Sequence, residues 1–159
     1  VVRYADLAAY LGIELGGSAT PVEVRSAVLA LRAAKGMVLD VDDEDSRSAG
    51  SFFTNPIVSE EIASTIPAAC PRYPAAAGVK LSAAWLIEDA GVTKGWCITE
   101  DAHARVSKKH TLAIVTTSGA TTAEVIELAD HIQHLVFTKY AITLEPEPTL
   151  VNCALAGAS

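Results

Sequence analysis

Two stretches of the chain carry the apolar spacing of an amphipathic helix, and both open on the same polar signature. Val24, Ala27, Val28 and Leu31 follow the i, i+3, i+4, i+7 stripe. Thr20, Pro21 and Glu23 precede them as N-cap, first helical residue and capping-box partner. Arg32 and Lys35 stand in the last turn, and Gly36 ends it. The second stretch, 121–137, pairs Thr121 with Glu124 in a capping box and buries Val125, Leu128, Ala129, Ile132 and Val136 on one side. A shorter helix is predicted over 82–90, closed by Gly91, with Trp85 as a core residue, and another begins at Ser59. Between them the pattern is less regular. Residues 2–10 form a short apolar segment, and 12–18 read as a turn. Residues 49–59 predict a strand and a turn, 111–116 a strand, and 141–144 a short strand before Glu145-Pro146-Glu147-Pro148. The Pro- and Ala-rich stretch 70–78 predicts a loop, and the acidic run 40–45 a solvated loop lacking the glycine and terminal glutamate of a calcium loop.

Helices and short strands alternate irregularly, and no glycine fingerprint follows a strand. A doubly wound sheet is therefore disfavoured. The expected fold is α+β, a small antiparallel sheet with flanking helices.

Composition narrows the function classes. Half of the 159 residues are apolar, enough for a packed core and too many for disorder. A net charge of −7 argues against a nucleic-acid partner, which calls for clustered Lys and Arg. It leaves room for a small anionic ligand held by a few placed cations. Cys70, Cys97 and Cys153 are odd in number and widely spaced, so neither a disulfide framework nor a zinc site is expected, and a reducing cytoplasm is the expected compartment. No apolar run is long enough for a membrane helix, and no signal peptide precedes the first helix. The chain begins at Val1 without Met, as a fragment or processed product would.

Candidate chemistry is sparse. There is no Walker loop and no nucleophile elbow, and His103, His110, His131 and His134 lack zinc-ligand spacing, so no metal is expected. The segment Gly50-Ser51-Phe52-Phe53-Thr54-Asn55-Pro56 remains. By pattern alone it is ordinary strand-to-turn material, with the two Phe as core and rim and Asn55 as a turn residue.

That segment, however, resembles the C-terminal half of UDP-N-acetylenolpyruvoylglucosamine reductase, a flavoenzyme of peptidoglycan synthesis. Other segments resemble it in the same order: 32–39 (Arg-Ala-Ala-Lys-Gly-Met-Val-Leu), 79–88 (Val-Lys-Leu-Ser-Ala-Ala-Trp-Leu-Ile-Glu), Lys94-Gly95, 107–112 (Ser-Lys-Lys-His-Thr-Leu) and 144–147 (Leu-Glu-Pro-Glu). The wording is similar to actinobacterial members. The resemblance implies that residues 1–38 are a remnant of the flavin-contacting domain, 39–143 the substrate-binding domain, and 144–159 a return strand to the first.

The resemblance also implies roles. NADPH reduces FAD, the flavin passes a hydride to the enolpyruvyl double bond of UDP-N-acetylglucosamine enolpyruvate, and Ser51 donates the proton. Glu147, between Pro146 and Pro148, is the matching catalytic glutamate. Lys35, Asn55 and Lys94 match positions that bind the diphosphate and its neighbours, with Lys109 and His110 as weaker candidates. Read from the residues themselves, Lys35 is equally a helix C-terminal cation and Lys94 a turn lysine. Pro148-Thr149 stand where many relatives have Val-Arg, so no contact from that Arg carries over. The resemblance implies that most of the flavin surface lies in an N-terminal half outside these 159 residues. This leaves a second expectation, an isolated UDP-sugar-binding module without redox activity. At full length a monomer is expected, with no nucleic-acid or membrane partner.

Overall fold

A computed structural model describes residues 1–157. The expected return segment 144–159 extends past it, so Ala158 and Ser159 lie outside the described residues. The fold is α+β, as the pattern predicted, but the strands form two sheets rather than one. Helices are α1 (Ala5–Leu11), α2 (Pro21–Ala33), α3 (Glu60–Thr65), α4 (Ala83–Asp89) and α5 (Thr122–Tyr140). Strands β1 (Ser48–Ser51), β5 (Ala104–Val106) and β6 (Ala113–Thr116) form one sheet in the order β1-β6-β5. Strands β2 (Ile57–Val58), β3 (Arg72–Ala75) and β4 (Gly78–Leu81) form the other in the order β2-β4-β3. Every pairing is antiparallel.

Both capping boxes are present. The Thr20 and Thr121 hydroxyls accept the Glu23 and Glu124 N–H groups, and the two glutamates reach back to the Thr backbone. The second helix runs three residues past its expected end, to Tyr140, where Ala141 turns left-handed (φ 54°). Ser59 and Ser82 cap α3 and α4 as expected.

The main core gathers residues of both sheets, α4 and α5, with α5 packed on β5 and on α4. Leu81, Ala83, Leu86, Ile87, Val92, Val106 and Val136 are completely buried. Fully burying side chains of this kind contributes on the order of 2 kcal/mol each. Trp85, expected in the core, is half-buried and leans on it, with its ring 6.3 Å from that of Tyr140. A second, smaller cluster holds Val2, Leu7, Ala8 and Ala27 between α1 and α2.

Three sequence expectations are corrected. Residues 72–75 are a strand and not a loop. Pro74 is tolerated because β3 is a sheet edge, where a missing N–H breaks no ladder. Gly78 closes the β3–β4 turn at φ 133°, and a Cβ there would lie 2.2 Å from the Val58 carbonyl oxygen, so only glycine fits. Residues 141–144 do not form a strand. Ile142 and Leu144 are buried by packing, and the buried Gln133 amide donates to the Leu144 carbonyl (2.8 Å). The acidic run is not merely solvated. Asp45 and Ser46 are buried in a short 3-10 turn, and Asp43 pairs with Lys109 at 2.6 Å. Strand β5 had no sequence prediction, because three residues are too few to display a period.

Candidate functional site

The register between β1 and β6 slips between Ser48 and Ser51, a bulge with Gly50 at φ 86°. Such a bulge re-aims the next side chain, and a residue with a Cβ would be strained in that conformation. The side chain so placed is Ser51. The next residues, Phe52 and Phe53, are buried and meet edge to face with ring centroids 5.1 Å apart.

Two flanking segments hold the Phe52 peptide. Its N–H donates to the Leu112 carbonyl (2.7 Å), and its carbonyl accepts the Glu147 N–H (2.8 Å). The Thr54 N–H donates to the Glu145 carbonyl (2.9 Å), and Phe53 bridges Pro146. The tail is therefore stitched along 52–54, and that stitching fixes Glu147 against Phe52, the residue after Ser51. Pro146 and Pro148 suit such an extended stretch, since both disfavour helix.

Ser51, Thr54, Asn55, Lys80, Leu112 and Glu147 all line one open groove of about 460 Å³. Asn55 also has a structural duty: its Oδ1 accepts the Ala83 N–H (2.9 Å) at the start of α4. The Leu81 N–H donates to the Pro56 carbonyl (2.9 Å), which ties this turn to β4 and so to Lys80. Lys80 lies opposite Ile57 on one side and Tyr73 on the other. Lys80 belongs to the 79–88 segment, for which no binding role was expected. The signal was the alternation along β4, where Leu81 is fully buried while Lys80 keeps solvent access in the groove.

The groove thus gathers Ser51, Asn55 and Glu147 and does not include Lys35 or Lys94. Both of those lysines are exposed. Their charges, after burial, lower the His110 pKa from its ordinary 6.5. Lys109, another sequence candidate, is engaged with Asp43; that hydrogen bond is the main cause that raises its pKa and lowers that of Asp43.

A groove with one cation, one carboxylate, two hydroxyls and an amide, walled by Leu112 and Phe53, defines a binding domain suited to a polar small molecule. Comparison with known proteins narrows the class. The family model of the UDP-N-acetylenolpyruvoylglucosamine reductase C-terminal domain matches residues 42–151, and the chain belongs to that family. It is 52% identical over 158 residues to the UDP-N-acetylenolpyruvoylglucosamine reductase of Mycobacterium sp. (strain MCS), covering 97% of this chain and 45% of that protein. The Mycolicibacterium gilvum (strain PYR-GCK) protein of that name is also 52% identical, with the same coverage. That of Mycobacterium tuberculosis (strain H37Rv) is 46% identical over 162 residues, covering 97% of this chain and 44% of that protein. The chain spans about half the length of the curated relatives it matches. Among the described residues, no helix is long and apolar enough to cross a membrane.

Proposed function

We propose that this chain supplies the substrate-binding half of an NADPH- and FAD-dependent reductase that converts UDP-N-acetylglucosamine enolpyruvate to UDP-N-acetylmuramate in the cytoplasm. The observation that carries this reading is the stitching of 145–147 onto 52–54, which puts Glu147 and Ser51, far apart in sequence, on one groove. The reading extends to the domains: 1–38 and 144–159 belong with the flavin-contacting domain, and 39–143 forms the substrate domain. The full-length protein acts as a monomer.

The residues near Ser51 fit one side of a flavin site. The space beside Gly50 is open, with no atom within 4 Å of where a Cβ would stand, so a planar group can approach the backbone there. The phosphate-holding part of such a site would come from the other half of the longer protein. When bound, the flavin supplies a hydride to the enolpyruvyl double bond.

The chain's own part is to bind, orient and protonate. Hydride addition leaves the neighbouring carbon strongly basic, and Ser51 gives it the Oγ proton. A hydroxyl is a weak acid at neutral pH, so it serves only because the acceptor is basic and the group is fixed in place. The serine then recovers a proton from solvent. Glu147 stabilises the enol form together with an arginine from the other half. Lys80 and Asn55 hold anionic and polar groups of the substrate within the groove, and Lys35 and Lys94 attract the diphosphate from outside it.

The test uses the longer protein. Ser51→Ala should leave flavin reduction by NADPH unchanged while product formation falls by on the order of 100-fold or more, the scale of a lost general acid. Product formation at the normal rate would remove Ser51 from the role. A second reading is a UDP-sugar-binding module without redox activity, with Lys80 and Asn55 in the groove as its polar contacts. Calorimetry of the 159-residue chain with UDP-N-acetylglucosamine tests it, and absence of binding heat counts against it.

A further inference from the structure

Residues 107–113 form a tight turn behind the groove. The Ser107 hydroxyl accepts the N–H groups of Lys109 (3.0 Å) and His110 (3.2 Å). The Ser107 N–H donates to the Ala113 carbonyl (2.8 Å), and the Ala113 N–H to the His110 carbonyl (3.0 Å). Within this frame the Leu112 N–H donates to His110 Nδ1 at 3.1 Å. Nδ1 can accept only in the neutral ring, which fixes the ring proton on Nε2. The Leu112 carbonyl receives the Phe52 N–H, so a single hydrogen-bonded path runs from the imidazole through Leu112 to the peptide that follows Ser51.

We propose that His110 is a positioning residue: by accepting the Leu112 N–H, its imidazole sets the carbonyl on which the Ser51–Phe52 peptide hangs, and so holds the Ser51 hydroxyl in register with the groove. The catalytic half of this statement rests on the reading that the Ser51 groove is the reaction site. The structural half does not.

The surroundings favour the neutral ring. Burial is the first cause, and Lys35 after α2 and Lys94 after α4 add like charge. On the turn itself, Lys108 is exposed and Lys109 is engaged with Asp43. Asp45 spends one oxygen on the Lys108 N–H (3.4 Å). No carboxylate contributes to the His110 shift. Protonation would turn Nδ1 from acceptor to donor, break the Leu112 bond and loosen the peptide beyond it. The device therefore fails on the acid side, below the ordinary histidine value.

The experiment starts with the 159-residue chain, labelled with 15N and titrated by NMR from neutral pH downward. The Leu112, Phe52 and Ser51 amide resonances should move together, with the midpoint of the His110 ring. In His110→Asn, whose side-chain oxygen accepts the same N–H without titrating, they should stay fixed. If the Leu112 and Ser51 amides ignore the His110 titration in the native chain, the proposal is overturned, with no variant needed. It is equally overturned if they titrate unchanged in His110→Asn.

The longer protein supplies the second arm. His110→Leu should lower kcat by on the order of tenfold with little change in KM, as expected for a slightly misplaced group. His110→Asn should restore kcat and flatten the acid limb of its pH profile. If Ser51→Ala stops product formation while His110→Leu does not affect it, the reaction site stands and the positioning role falls. If neither variant affects it, the reading of the groove itself falls.

Discussion

In the body of the molecule Leu81, Ala83, Leu86 and Ile87 show no exposure at all, and α5 packs on β5 while α3 packs on β4. In the N-terminal helix pair the best-buried residues are Val2, Leu7, Ala8 and Ala27, while Tyr4, Tyr10, Leu15, Val22, Leu39 and Val41 in or just after it stay exposed. Both regions have capped helices with an apolar stripe. The difference lies in what each stripe meets. The body gives its helices a sheet to cover, whereas α1 and α2 have chiefly each other. Local helix signals therefore say where a helix forms but not how firmly it is held, because most helix stability in a folded chain comes from packing.

Mutations can break or sharpen this comparison. Leu86→Ala, deep in the body, should cost about 3 kcal/mol in urea unfolding, the middle of the range for a buried leucine. Leu7→Ala in the helix pair should cost about 2 kcal/mol, the low end of that range, because its site can collapse or wet. Equal losses in one shared transition would make the two regions a single cooperative unit and defeat the contrast.

Gly78→Ala should cost about 2 kcal/mol or slightly more, through backbone strain and the clash with Val58. The loss should fall on the β2-β4-β3 sheet, read by amide exchange, and leave α1 and α2 untouched.

The two capping threonines offer the closest comparison. Thr121→Ala and Thr20→Ala should each cost about 1 kcal/mol locally. The former should lower global stability and the latter should fray only α2, as seen by helix-selective exchange rates.

Acid should act unevenly on the same two caps. Hydrogen bonds from Thr121 and His103 hold the Glu124 carboxyl down at about 2, against an ordinary 4.5. Its folded pKa lies below the unfolded one, so its contribution is fully present above about 4.5 and is lost as pH falls through about 2. Glu124→Gln should flatten the decline of Tm with acid in that window. A slope equal to that of the native chain would show that the cap carries no pH dependence. Glu23 is lowered in the same direction by Thr20, so Glu23→Gln should give the smallest effect, confined to α2.

Much of the site was legible in residues and little of it in pattern. Helices α2 to α5, both capping boxes and the α+β class followed from the sequence, whereas α1 was visible only as a short apolar segment. The candidate status of Ser51, Asn55 and Glu147 followed from resemblance. Lys80 was overlooked because a lysine on a short strand carries no mark of which cavity it faces. Strand β3 was misread because Pro74 argues against a central strand and cannot announce an edge. The expected 141–144 strand failed because apolar alternation reports burial, and here burial comes from packing without a ladder.

Resemblance to a family made Gly50-Ser51-Phe52-Phe53-Thr54-Asn55-Pro56 worth weighing; the sequence by itself determined where most helices start and that a core could form. These are local matters, decided by side chains a few positions apart. Tertiary structure decided that the Glu147 peptide would hang on Phe52, that Lys80 would share its groove, and that His110 would stand behind Leu112. Those depend on hydrogen bonds between segments far apart in the chain, and no local spacing encodes which distant carbonyl an N–H will find.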